Sequence, residues 1–283
     1  VPSIQRQSCG KINSAFPLDA LLKPPGDPLS CIFMAELAEM VAYCRERLNV
    51  DAIRDFKGAS NGLQVSNGGR VTKIAAVVDA GLAPFREAAA RGVDLILCHH
   101  GLYWEPPFPI VGPSREKLKV LLENDIALYS AHLPLDAHRE IGNAAQIAAK
   151  LNLPIERWDL EYEGTAMAPI CTWSTSREAL KEKLAPLFPH MRVIAFGSAA
   201  PGKLCIVSGS GNLVLPELAR LGIDTLVTGE LKQSNFNQAQ ELGMNVFLCG
   251  HYDTETFGVK ALAAELSAKF GVPWEFLATG CPL

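Results

Sequence analysis

Two adjacent histidines, His99 and His100, close the apolar run VDLILCHH. A second stretch, IALYSAHLPLD, sets His132 four residues ahead of Asp136. A third, MNVFLCGHYDTE, sets His251 four residues ahead of Glu255. Four of the six histidines thus follow short β-rich runs, whereas His138 and His190 do not. Imidazole nitrogens combined with carboxylate oxygens suit borderline divalent ions such as zinc, iron or manganese. The candidate ligands are His99, His100, Asp136, His251 and Glu255, with His132 and Glu230 nearby. Neighbouring residues on an extended strand point to opposite faces. The HH pair can therefore share one ion only if the strand has already turned, but it can readily serve two. A bridging carboxylate would hold such a pair roughly 3.5–4 Å apart. Spacing alone leaves three options open: a dinuclear site, a mononuclear site, and unrelated histidines. A strand-end histidine often does no more than bond a carbonyl, Asp136 could cap a helix, and Glu255 could be a first-turn acid.

The elements that must carry these residues show in the hydrophobic pattern. MAELAEMVAYCRERL has apolar positions at 34, 37, 41, 44 and 48, which predicts an amphipathic helix starting at Met34. KIAAVVDA, VDLILCHH and IALYSAH are expected to be buried strands. LAPFREAAARG is a helix stopped by Gly92, REKLKVLLEND a helix capped by Ser114, and NAAQIAAKLN another helix. GLYWEPPFPIVGP, with four prolines, must be a loop, and its Trp104 and Phe108 are expected to be exposed. SNGLQVSNGG brackets a short strand with turns.

Part of the chain repeats. Residues 71–100 set against 201–230, an offset of 130, align KIAAVV…GVDLILCHH with KLCIVS…GIDTLVTGE. The two His-x-x-x-carboxylate stretches are related by an offset of 119. The expected fold class is α/β, two interlinked units with an internal pseudo-repeat. The domain reading is a loose extension over 1–33, a first half over 34–155 and a second over 156–283, interleaved around a shared site. Ligands in open α/β sheets bind where strand carboxyl ends converge.

Composition bounds the partners. With 26 Lys and Arg against 30 Asp and Glu the net charge is −4, and no basic block resembles a nucleic-acid footprint. No apolar run is long enough to span a membrane, and the start lacks the order of a secretory signal. The eight cysteines form no CxxC pair, which fits reduced thiols in a cytoplasmic protein. GSAAPGKL at 197–204 nearly spells a P-loop, but Leu204 replaces the required hydroxyl and the glycines precede a strand. GSG at 209–211 is the remaining candidate for a phosphate-binding amide nest. No G-x-S-x-G elbow is present. Any catalysis is therefore expected to use metal-activated water.

NGLQV at 61–65, CHHGLYW at 98–104, AHLPLDA at 131–137, TGELK at 228–232 and GHYDTE at 250–255 resemble the ordered signatures of the NIF3-like family, also called GTP cyclohydrolase 1 type 2. The resemblance runs from about Met34 to the C-terminus. It implies a two-domain α/β protein, a toroidal homohexamer, and a dinuclear centre held by His99, His100, Asp136, His251 and Glu255. It also implies hydrolytic opening of a guanine ring, with His132 or Glu230 moving protons. The competing reading is a non-enzymatic metal-binding protein that acts through protein partners. Two departures stand out: Gly101 replaces a proline and is expected to loosen the loop, and Leu133 replaces a threonine beside the site.

Overall fold

The computed structural model of the chain describes residues 34–104 and 109–281. The extension expected over 1–33, and Phe108, lie outside them. The first elements are β1 (Ala35–Glu36), α1 (Leu37–Arg47), β2 (Gly62–Val65) and β3 (Arg70–Val71). Then come β4 (Ile74–Asp79), α2 (Leu82–Ala90), β5 (Leu95–His100), α3 (Gly112–Glu123) and β6 (Ala127–Ser130). The short α4 (Leu133–Asp136) and α5 (Asn143–Lys150) lead to the hairpin β7 (Ile155–Tyr162) and β8 (Thr165–Thr172). There follow α6 (Arg177–Leu184), β9 (Arg192–Ala195), β10 (Lys203–Ser210), α7 (Leu215–Arg220) and β11 (Thr225–Glu230). The last elements are α8 (Ser234–Glu241), β12 (Asn245–Leu248), α9 (His251–Phe270) and β13 (Trp274–Phe276).

Two mixed sheets result, ordered β13-β4-β5-β6-β2 and β7-β8-β10-β11-β12-β9. Each is centred on three parallel strands, β4-β5-β6 in one and β10-β11-β12 in the other, with an antiparallel strand beside the third. Parallel strands need cover on both faces, and alternation supplies an apolar row to each. In the first sheet Ile74, Leu95 and Leu97 pack against α1 and α9, while Val77, Ile96 and Leu128 pack against α2 and α3. In the second, Leu204, Ile206 and Val227 pack against α5 and α6, while Leu226 and Val246 pack against α7 and α8.

The helices that follow the third strands exchange sheets. α5 follows the first sheet's strands yet covers the second through Ala144, Ile147 and Ala148. α9 follows the second sheet's strands yet covers the first through Val259, Leu262 and Leu266. The two helices meet at Gly258, whose N–H donates to Asn143 Oδ1 at 2.6 Å. A Cβ at Gly258 would stand 2.9 Å from that oxygen, so only glycine allows the approach. Each buried leucine of these faces contributes about 1.5–3 kcal/mol.

The 130-residue offset holds in three dimensions. β5 spans 95–100 and β11 spans 225–230, so the two strands match end to end. Gly92 sits at φ +66° after α2, as a helix stop requires. Two boundaries differ from expectation. Met34 is exposed, and residues 35–36 pair with Arg70–Val71 as a strand, so the first helix begins only at Leu37. Ser114 does not cap α3: the helix starts at Gly112 after Val111, with a proline in its first turn. Proline has no N–H to lose there, and its fixed φ prepares the turn.

Candidate metal centre

Three strand ends and two helix starts build one cluster. β5 delivers His99 and His100 at its carboxyl end. His132 precedes α4, and Asp136 closes that single turn. Gly250, at φ +94°, bends the chain from β12 into α9, whose first residue is His251 and fifth is Glu255. Residues four apart on a helix share a face, so the latter two point to the same place.

All four imidazoles are braced from behind through Nδ1. His99 Nδ1 donates to the Ala131 carbonyl at 2.8 Å. His100 Nδ1 lies 2.8 Å from Asp79 Oδ1, His132 Nδ1 2.9 Å from Asp55 Oδ1, and His251 Nδ1 3.1 Å from Glu230 Oε1. Each of these partners accepts, so each Nδ1 carries a hydrogen and Nε2 is the nitrogen that can face a metal once it holds no proton.

The Nε2 atoms meet the two carboxylates. His99 Nε2 is 3.4 Å from Asp136 Oδ2 and 3.6 Å from Glu255 Oε1. His100 Nε2 is 3.3 Å from Glu255 Oε2, and His251 Nε2 is 3.1 Å from Glu255 Oε1. Glu255 therefore spans the HH pair, one oxygen toward each ring. Asp136 is steered by its other oxygen, which accepts from Asn143 Nδ2 at 2.8 Å and Ser208 Oγ at 3.0 Å. Nitrogen and oxygen donors about 2.1 Å from a tetrahedral zinc are roughly 3.4 Å apart, the range of these separations. His99 Nε2 and Glu255 Oε2 are buried without a hydrogen-bond partner, a costly state unless a cation completes it.

Two overlapping triads could each hold an ion: His99, His100 and His132, and His100, His251 and Glu255. Within each, the ligand atoms lie within 4.8 Å of one another. The residues present thus fit a pair of divalent ions, whose identity the donor set leaves among zinc, iron and manganese.

Charge supports the same reading. Burial opposes charge on His99, yet Asp136 and Glu255 outweigh it and raise its pKa well above the usual histidine range. His251 is raised to about 9, first by its hydrogen bond to Glu255. Against their own burial, Asp136 and Glu255 are held below the usual carboxylate range, mainly by His99. The pocket thus favours positive charge on one side and carboxylate anions on the other.

The cluster floors a cavity of about 750 Å³. Trp104, expected to be exposed, is half-buried: its ring lies 4.9 Å from that of His132, and its Nε1–H donates to Gly101 O. Gly101 sits in a crowded turn. The room a side chain would need is filled by Gln64, which accepts from Leu102 N at 2.7 Å and pins the turn. The amides of Gly209 and Gly211 are engaged by Thr254 Oγ1 and Glu230 O, so the GSG stretch offers no amide nest. Cys98 and Cys249, which flank the histidines, are buried, and burial pushes their thiols up to about 12. His138 and His190 stay out of the cluster.

Sequence reasoning missed Asp79, Asp55, Asn143 and Ser208. Asp79 had a usable signal, since it ends the strand run beside the HH strand. Asp55 had none: it sits in an aperiodic loop and reaches His132 across 77 positions.

The chain matches the model of the family Duf34/NIF3 (NGG1p interacting factor 3) over residues 35–280. It is 38% identical over 248 residues to a Deinococcus radiodurans protein named GTP cyclohydrolase 1 type 2 homolog, covering 84% of this chain and 91% of that one. An Escherichia coli protein of the same name is 35% identical, covering 81% and 92%. Among solved structures, one from Thermus thermophilus aligns with TM-score 0.80 at 39% identity, covering 88% of this chain and all of that one. Reduced HcgD from Methanocaldococcus jannaschii aligns at 0.76 with 28% identity, covering 87% and 99%. The fold, the ordered motifs and the histidine–carboxylate cluster agree with these likenesses: the chain belongs to the Duf34/NIF3 family.

Proposed function

We propose that this protein is a metal-dependent hydrolase acting on a small molecule. The observation that carries the reading is the pair of buried atoms without a hydrogen-bond partner, His99 Nε2 and Glu255 Oε2, the second of them on a residue that lines a cavity large enough for a substrate. His99, His100, Asp136, His251 and Glu255 would hold two divalent ions, with His132 within ligand reach. Ions bound there supply Lewis acidity, which activates water and polarises a substrate oxygen.

The chain's own residues do the rest. Asp79, Glu230 and the Ala131 carbonyl fix the rings so that little rearrangement is needed on binding. Asp55 holds His132 at Nδ1 and leaves Nε2 available for proton transfer. Asp55 also accepts from Asn61 Nδ2 and Leu133 N, so the dyad is tied to a side-chain amide and to the backbone. Glu230 braces the His251 ring at Nδ1, and its carboxylate is the second candidate to take up a proton. Apolar walls exclude water from the floor. The homohexamer implied by the family resemblance and the cytoplasmic location expected from the cysteines belong to the same proposal. No helix among the described residues is long and apolar enough to cross a membrane.

The test is turnover by metal-loaded protein of a panel of nucleotides, phosphoesters and cyclic amides, beside a Glu255→Ala variant shown to be folded. Turnover in the wild type that the variant abolishes is the expected result. No turnover across the panel would favour a metal-binding protein acting through partners. An equal rate in the variant would place the activity elsewhere.

A further inference from the structure

The cavity changes character from floor to mouth. Its floor is buried, with Glu255 4% and His132 9% exposed. Its middle is apolar: Leu133, Leu160, Met167 and Val207 line it. There Phe56 and Tyr162 meet edge to face with ring centroids 5.1 Å apart. Phe56 lines the cavity and keeps 47% of its surface exposed, although it also touches the His132 ring. The mouth carries Asp159, Glu161 and Glu217 against one cation, Arg220. That cation is already bound to Glu217 on its own helix. Among the described residues lining the cavity there is no other lysine or arginine.

We propose that the cavity takes a phosphomonoester with an uncharged aromatic body and no anion at its outer end. This rests on the hydrolase reading above and adds the substrate class and its orientation. A phosphoryl group has the oxygens that a two-metal floor can clamp. An aromatic body matches Phe56 and Tyr162. Asp159 is paired with Arg157 and Glu217 with Arg220, so Glu161 sets the negative sign of the mouth, which disfavours a second anion. Hydrolysis breaks the ester P–O bond: water supplies the oxygen gained by phosphate and the proton taken by the departing alcohol. A nucleoside triphosphate turned for ring hydrolysis would face the opposite problem. Its purine would occupy the floor and its three phosphates would lie beside Asp159, Glu161 and Glu217.

The experiment is calorimetric titration of the zinc-loaded full chain with non-hydrolysable probes. These are inorganic phosphate, phenylphosphonate, 4-(aminomethyl)phenylphosphonate and 4-carboxyphenylphosphonate. Phosphate is expected to bind, and phenylphosphonate to bind more tightly. The carboxylate is expected to bind about tenfold more weakly than phenylphosphonate, and the ammonium at least as tightly. The gap should shrink at high salt, because the mouth is exposed to solvent. It should also shrink in Glu217→Gln, which leaves Arg220 uncompensated. If phosphate binds but the carboxylated probe matches phenylphosphonate, the substrate class is wrong and the metal centre stands. If phosphate does not bind, the phosphomonoester class fails, and turnover across the panel described above decides whether the hydrolase reading stands.

Discussion

The triplets β4-β5-β6 and β10-β11-β12 share strand order, direction and a flanking antiparallel strand, yet they serve the centre in opposite ways. At the strand end where the first has His99 and His100, the second has Gly229 and Glu230, 130 residues on. Where the first has Asp79, the second has Gly209. A Cβ on Gly229 would stand 2.7 Å from His251 Cα and 2.5 Å from Gly209 O. A Cβ on Gly209 would run into the Glu255 carboxylate itself. One triplet therefore supplies donors, while the other supplies the space those donors and α9 occupy. Only after the third strands do both halves contribute alike, with His132 and Asp136 on one side and His251 and Glu255 on the other. Even there, α4 is a single turn, whereas α9 runs for 20 residues and anchors its ligands in the core.

The sharpest way to break this comparison is to remove the equivalent carboxylates. Glu255 faces three imidazoles and Asp136 only one. Glu255→Ala should therefore cost more than about 100-fold in zinc affinity, beyond the range seen when a supporting residue is lost. Asp136→Ala should cost less; equal losses by competition with a chelator would deny the asymmetry. Next comes the glycine side. Gly229→Ala should destabilise the fold by about 1–3 kcal/mol through overpacking against backbone, measured by denaturant unfolding. A neutral result there would mean that α9 approaches less closely than described.

Smaller effects come from the bracing groups. Asp79→Asn and Glu230→Gln should each weaken zinc binding about tenfold, with the fold unchanged. Acidity sharpens the same point. With His251 raised to about 9, its ring is protonated at neutral pH, and a metal must displace that proton. Zinc affinity should rise with pH up to about 9, by up to about tenfold per unit for one proton, and then level off. Proton release measured in two buffers of different ionisation enthalpy checks this directly.

Much of this was legible in the chain because it is periodic or repeated. Apolar runs gave the buried strands, and the His-x-x-x-carboxylate spacing picked out two pairs of side chains that the structure brings to the cluster. What was not legible depends on partners far apart in sequence. Asp55 acquires its role only when its loop packs on the segment before α4, and Ser208 only when α5 crosses to the second sheet. Nor can the sequence show Gln64 filling the space beside Gly101. The false start at Met34 has a similar cause: apolar spacing continued through residues that pairing with Arg70–Val71 had already claimed as a strand.

The most direct test is metal content per chain, by mass spectrometry of the native protein purified without chelators, set beside Glu255→Ala prepared in the same way. The account predicts close to two divalent ions per wild-type chain and a clear loss in the folded variant. A metal-free wild type that takes up no zinc, or a variant that retains its ions in full, would contradict it.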